Sequence, residues 1–130
     1  MENNMWEELY NRAKEVLKPR RVSENIDAGG VAAAILSKSG KIYVGVCIDT
    51  ACSIGICAER NALCAMITSG ESKIDKLICI GSNNSIMLPC GVCREFMMQL
   101  DNDNNNTEIL VDFSTKKTIK LSELLPNWWN

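Results

Sequence analysis

Cys57-Ala58-Glu59 and, 32 residues after Cys57, the start of Pro89-Cys90-Gly91-Val92-Cys93 constrain this chain more than anything else in it. No histidine occurs among its 130 residues, so a transition-metal site has to be built from thiolates and carboxylates. Cys90 and Cys93 lie within one helical turn, whereas Cys57 is remote, so the fold must carry two separate segments to one point. Three protein ligands are one short of a closed tetrahedral zinc site, which leaves a fourth position for water. Glu59 follows the first ligand by two residues and is well placed to work on that water. The pattern is the layout of a metal hydrolase.

With 46% hydrophobic side chains the chain holds enough apolar surface for one globular domain spanning residues 1–130. The formal net charge is -2 and no lysine- or arginine-rich patch occurs, which argues against a nucleic acid polymer as partner. The apolar stretches are short and interrupted, so no membrane span is expected. The acidic segment Met1–Glu8 lacks the basic and apolar regions of a signal peptide, and a cytoplasmic location is expected. Seven cysteines, an odd number without a secretory signal, do not suit a disulfide framework. Cys64 and Cys79 sit in apolar runs and read as small buried hydrophobes. Cys47 and Cys52 stay open, since either lies close enough to Cys57 to complete a metal site.

Trp6, Leu9, Tyr10, Ala13, Val16 and Leu17 fall at helical spacing and predict a helix over 4–18, ended by Pro19. Residues 30–36 and 41–48 read as a hairpin turning at Ser39-Gly40, and 49–56 as a loop. A helix is expected over 57–66, a buried strand over 77–80 and a second helix over 90–100. A polar turn at 101–106, a strand over 108–113, a tail strand near 117–121 and a final turn capped by Ser122 complete the chain. Strand–helix–strand–helix–strand from residue 41 onward implies right-handed crossovers and parallel direction. The fold class is therefore α/β, a three-layer α/β/α domain on a five-stranded mixed sheet. Both cysteine motifs open helices that follow strands, and ligand sites in open α/β sheets collect at that edge.

Three thiolates bring three negative charges against the two positive charges of zinc, which should make a bound water less acidic. Compensation is available in two forms. Cys57 and Cys90 begin helices, whose dipoles supply about half a positive charge each. Arg60 and Arg94 lie within a turn of the ligands and are candidates to hydrogen-bond sulfur. Glu59 is the candidate proton shuttle, while Glu95, two residues past the second motif, is expected to turn outward. Two other readings compete. A closed structural site would recruit Cys47 or Cys52 as fourth ligand, and a redox pair at Cys90 and Cys93 would leave Cys57 and Glu59 without a role. Met97 and Met98 read as helix packing.

Cys57-Ala58-Glu59-Arg60-Asn61-Ala62 and Pro89-Cys90-Gly91-Val92-Cys93-Arg94-Glu95 together closely resemble the small all-cysteine cytidine deaminases, of which blasticidin S deaminase is a sister type. The resemblance extends to the hairpin (Val31–Leu36 and Ile42–Gly45) and to Leu124-Leu125-Pro126. It implies a cytidine deaminase-like fold, with Cys57, Cys90 and Cys93 as zinc ligands and Arg60 partnering the thiolates. By the same resemblance a zinc-bound hydroxide attacks the amine-bearing ring carbon of a cytidine or deoxycytidine, with Glu59 shuttling protons and ammonia leaving. It also implies a homotetramer with active sites between subunits, and a substrate pocket at Cys47, Asp49, Ala58 and Trp129. Cys47 and Asp49 stand where the family carries an Asn and a Glu that hold the ribose, and Gly29 stands near the position of a base-packing Phe. Cys47 cannot reproduce an amide's paired donor and acceptor. These departures concern recognition, so another amino-heterocycle (blasticidin S-like, a modified nucleoside or a free base) is an alternative substrate. A catalytically silent zinc-binding module is a further alternative. Trp128-Trp129 also reads as intersubunit packing.

Overall fold

The computed structural model describes residues 2–130, with side chains described from residue 4 onward. Helix α1 (Glu2–Val16) forms where Trp6, Leu9 and Ala13 recur on one stripe, and all three are buried. It stops at Val16, earlier than expected, because the residue before Pro19 is pushed toward extended backbone. A two-residue strand, β1 (Arg20–Arg21), precedes the long hairpin β2 (Ile26–Ser37) and β3 (Ile42–Thr50). Helix α2 (Ala58–Thr68), β4 (Ile74–Ile80), α3 (Gly91–Leu100), β5 (Glu108–Asp112), β6 (Lys117–Lys120) and α4 (Leu121–Leu124) follow.

The mixed sheet has six strands rather than five. Its order is β3-β2-β4-β5-β6, with β1 beside the start of β2. The extra strand was not legible because Arg20 and Arg21 are both exposed and carry no apolar alternation. β4 pairs β5 in parallel across α3, as expected. The crossover through α2 skips a strand: β3 and β4 run the same way, but each pairs antiparallel with β2 between them. β3 also runs on to Thr50, so Asp49 belongs to a strand and not to a loop.

Side chains alternate across the sheet with the two-residue period of β structure. Ala33 and Ile35 of β2 join Leu77 and Ile109 under α2 and α3, and pack with Ala62, Leu63, Met66 and Met97. Ala32, Ala34 and Leu36 face the other way with Ile78, Ile80 and Leu110, against Trp6, Leu9 and Ala13 of α1. The result is the three-layer α/β/α arrangement. α2 presses unusually close to β3 at Gly45, where an added Cβ would lie 2.4 Å from the Ala62 amide nitrogen and 2.8 Å from the Ala58 carbonyl oxygen. Asn61 secures the same contact by donating to the Val46 carbonyl at 3.0 Å.

Three smaller expectations need correction. Cys64 is exposed, because α2 buries Ala58, Glu59, Ala62, Leu63 and Met66 and turns Cys64 to the outer side. The 101–106 run is not wholly solvated. Asn104 is fully buried, accepts from the Ile74 N–H at 2.8 Å, and donates to the carbonyls of Met97 and Ser72 at 2.9 and 3.0 Å. Lys120 rather than Ser122 caps α4, and Glu123 returns to accept from the Lys120 N–H. Among the described residues no helix is long and apolar enough to cross a membrane.

Candidate active site

β3 and β4 deliver the two cysteine motifs to the same edge of the sheet. Cys57 is the N-cap of α2 and Cys90 the N-cap of α3, both with extended backbone, so each sulfur sits beside the unpaired N–H groups of a helix start. Cys57 Sγ lies 3.6 Å from Cys90 Sγ, and Cys90 Sγ lies 3.6 Å from Cys93 Sγ. All three sulfurs fall within 4.8 Å of one another, and among the described residues no fourth cysteine or carboxylate joins that cluster. Zinc with Zn–S bonds of about 2.3 Å sets tetrahedral sulfurs about 3.8 Å apart, so the trio fits it with one coordination position left open. Cys47 and Cys52, which could have completed a closed site, are not part of that cluster.

The donor chemistry agrees with the spacing. Burial pushes the Cys93 thiol well above its ordinary range, and the Glu59 charge pushes it further. Burial also opposes ionisation of Cys90, but the Cys93 N–H, the neighbouring thiols and the Val92 N–H outweigh it and leave the Cys90 thiol below its usual value. The two thiols are thus shifted in opposite directions, Cys90 down and the buried Cys93 up. A cation bound between them would favour the thiolate form of both.

Arg60 does what its position promised. Its Nη2 donates to Cys57 Sγ at 3.4 Å, and hydrogen bonds to Cys57 and then Cys93 raise its pKa against the opposing effect of burial. Its Nε is buried without a partner. Arg94 departs from expectation. Its Nε donates to the Pro89 carbonyl at 2.7 Å and its Nη1 to the Leu124 carbonyl at 3.3 Å, so it ties the start of α3 to the C-terminal segment.

The cluster opens into a cavity of about 430 Å³. Glu59, 5% exposed, is on its wall beside Cys57, Cys90 and Ala58. Burial raises the Glu59 carboxyl above its usual range; its own N–H, the Cys79 thiol and the Arg60 charge pull the other way. A carboxyl so held is suited to take and return a proton. Glu95 is turned away, accepting from Trp128 and Trp129 Nε1, each at 2.9 Å, and from Gln99 Nε2 at 2.8 Å.

Cys47 and Asp49 line the same cavity from β3. Trp129 does not; it is 71% exposed, pinned to Glu95 on the outer side of α3. The structure adds wall residues that sequence reasoning did not reach: Val31, Cys79, Met87 and Leu88. Cys79 had a usable signal, since it stands near the C-terminal end of β4, the edge at which the site forms. Burial and the Glu59 charge hold its thiol far above the ordinary range, so it remains a neutral neighbour of Glu59.

Comparison with known proteins agrees with this geometry. Residues 5–106 match the family model of the cytidine and deoxycytidylate deaminase zinc-binding region. Curated cytidine deaminases of Mycobacterium tuberculosis and Mycoplasma genitalium are 28% and 29% identical over 98 and 97 residues. Those alignments cover 75% and 73% of this chain and 70% and 75% of the relatives. Among solved structures, the cytidine deaminase of Mycobacterium leprae superposes with a TM-score of 0.76 at 22% identity, covering 94% of this chain and 98% of that one. The Bacillus anthracis cytidine deaminase gives 0.73 at 25% identity, with 97% and 90% covered. With zinc as its metal and three cysteines gathered to hold it, this chain belongs to the cytidine and deoxycytidylate deaminase family and is an aminohydrolase of that type.

Proposed function

We propose that the protein deaminates a cytidine- or deoxycytidine-like nucleoside, with Cys57, Cys90 and Cys93 as the metal ligands and Glu59 as the proton shuttle. The observation that carries this reading is a buried carboxylate sharing one cavity with an open three-thiol cluster. Zinc held there supplies Lewis acidity that makes a water nucleophilic near neutral pH. Glu59 would accept one proton from the attacking water and deliver it to a ring nitrogen, then carry the second, from the hydroxyl added at the amine-bearing carbon, to the amine, which leaves as ammonia as the C–N bond breaks and the carbonyl forms. Arg60 and the starts of α2 and α3 offset the charge of the thiolates. Ala58 and the β3 residues Cys47 and Asp49 form the bed of the substrate. Glu59→Gln tests the assignment: it should keep zinc, as measured by atomic absorption, and lose ammonia release from cytidine and deoxycytidine. Retained turnover would sink the role given to Glu59.

A second reading, the same chemistry on another amino-heterocycle, is favoured by one feature. The Cys47 sulfur accepts the Val31 N–H at 3.2 Å, where an amide would offer a substrate both a donor and an acceptor. Ammonia release across nucleosides, free bases and blasticidin S-like compounds separates the two. We further propose a cytoplasmic homotetramer with active sites between subunits. Met87, Leu88, Val92 and Trp129 are all exposed near the start of α3 and the C-terminus, and a neighbouring copy would cover them. In that assembly Trp129 would serve a neighbour's pocket rather than its own. Sedimentation equilibrium of the zinc-loaded protein checks the tetramer, and a monomer would overturn it.

A further inference from the structure

Between Ala28 and Ala32 the register of β2 against β3 shifts, so that four steps along β2 match two along β3. Extra residues bulge out of the ladder at 29–31, and the Val31 N–H finds its partner in the Cys47 side chain rather than in the backbone of β3. The Cys47 sulfur accepts that N–H and its own S–H donates to Asp49 Oδ2 at 3.9 Å, so it presents a closed surface on the cavity wall. The Thr50 hydroxyl is likewise spent, donating to the Cys52 carbonyl. Asp49 is the carboxylate on this wall, and it is exposed. When a ligand lacks a hydroxyl, water can solvate Asp49 in its place.

Discrimination for a hydroxyl comes from stranding a buried polar group when the hydroxyl is missing, and sites built that way reject the deoxygenated analogue by roughly 10⁴–10⁵-fold. Neither Cys47 nor Asp49 is stranded here. Resting on the nucleoside deaminase reading above, we infer that Cys47 is a specificity-determining residue that makes the β3 wall nearly indifferent to sugar-ring hydroxyls. The enzyme thus accepts dideoxynucleosides alongside ordinary ones.

The experiment pairs turnover with binding on the zinc-loaded protein. The kcat/KM for 2′-deoxycytidine and 2′,3′-dideoxycytidine should agree within about tenfold. Calorimetric Kd values for the products 2′-deoxyuridine and 2′,3′-dideoxyuridine, which carry no amine to remove, should agree equally well. A preference above tenfold for the hydroxylated member in either measurement overturns the inference. Cys47→Asn adds a paired donor and acceptor and should create such a preference; Cys47→Ser, which can keep the Val31 bond, should move in the same direction. A ratio unchanged in both variants overturns the role of Cys47. Matched product binding without turnover of any nucleoside would overturn the deaminase reading and keep only the indifference of the β3 wall, whereas neither turnover nor binding of any nucleoside would overturn both.

Discussion

Gly45→Ala is the sharpest probe of how the fold sets the site. The new Cβ would meet the Ala62 nitrogen at 2.4 Å and the Ala58 carbonyl oxygen at 2.8 Å, while ordinary contacts begin at 3.4 Å. Both obstacles are helix backbone, which cannot rotate aside as a side chain would. Relief therefore requires α2 to lift from β3 by about 1 Å, and Cys57 and Glu59 ride on the start of α2. Overpacking of this kind costs about 1–3 kcal/mol. For a chain of this size that lowers Tm by about 4 °C per kcal/mol. A displacement of about 1 Å at reacting groups costs on the order of 10²-fold in rate. The assay is kcat/KM for ammonia release, with zinc content and Tm measured on the same preparation. Gly40→Ala is the control. It strains a hairpin turn at φ +95° with nothing within 4 Å, so it should lose stability without losing kcat/KM relative to folded protein. If Gly45→Ala keeps wild-type turnover and melts within a degree of wild type, the close strand–helix contact does not hold the site.

Removing the cation beside the thiolates should loosen the metal. Arg60→Ala is expected to weaken zinc binding by roughly 10–100-fold in competition with a chromophoric chelator, and unchanged affinity would refute its partnership with Cys57 and Cys93. At the far end of the hairpin, Glu71 accepts from the Ser39 and Tyr43 hydroxyls at 2.6 Å each, and these bonds hold its carboxyl below the usual range. A depressed native pKa contributes stability above the ordinary carboxylate pKa and loses it as pH falls through the native one. Glu71→Gln should therefore melt below wild type at pH 7, with the gap narrowing as pH falls below the ordinary carboxylate range; a pH-independent gap would contradict this. Glu95→Ala frees both indole N–H groups, so tryptophan emission should shift to the red while zinc content stays constant. An unchanged spectrum would mean that the carboxylate does not hold the C-terminus.

The fold was legible wherever one period dominated the apolar residues. The α1 stripe marked a helix and the short unbroken apolar runs of β2 and β4 marked strands, and their order implied layered strands and helices. What stayed hidden was decided by neighbours. The run Ala62–Ile67 is apolar at every position, so it does not reveal which face of α2 is buried, and Cys64 ended outside. Asn104 sits in the most polar stretch of the chain, and only the open carbonyl of Met97 near the end of α3 and the Ile74 N–H of β4 explain its burial. Arg60 and Arg94 look alike in sequence. Their helices rotate one toward sulfur and the other toward the carbonyls of Pro89 and Leu124.

The same division runs through the site. The three-cysteine cluster is set by a few atoms at two helix starts, so residue type and spacing suffice to single out Cys57, Cys90, Cys93 and Glu59 as one candidate site. Substrate recognition is set by which polar atoms are left over once the fold has satisfied itself. Cys47 shows the difference. As a letter it says only that an amide is missing. In the structure it closes an N–H that the β2 bulge had opened, which removes it from the groups a substrate can use. Loss of an amide would ordinarily leave a hole for water or for a different ligand group to fill. Here the gap is filled by the chain's own backbone bond, so the expected consequence is indifference to a hydroxyl rather than a switch to a new polar partner. Comparing hydroxylated and dideoxygenated ligands separates those two consequences, because a switched pocket would discriminate between them and an indifferent one would not.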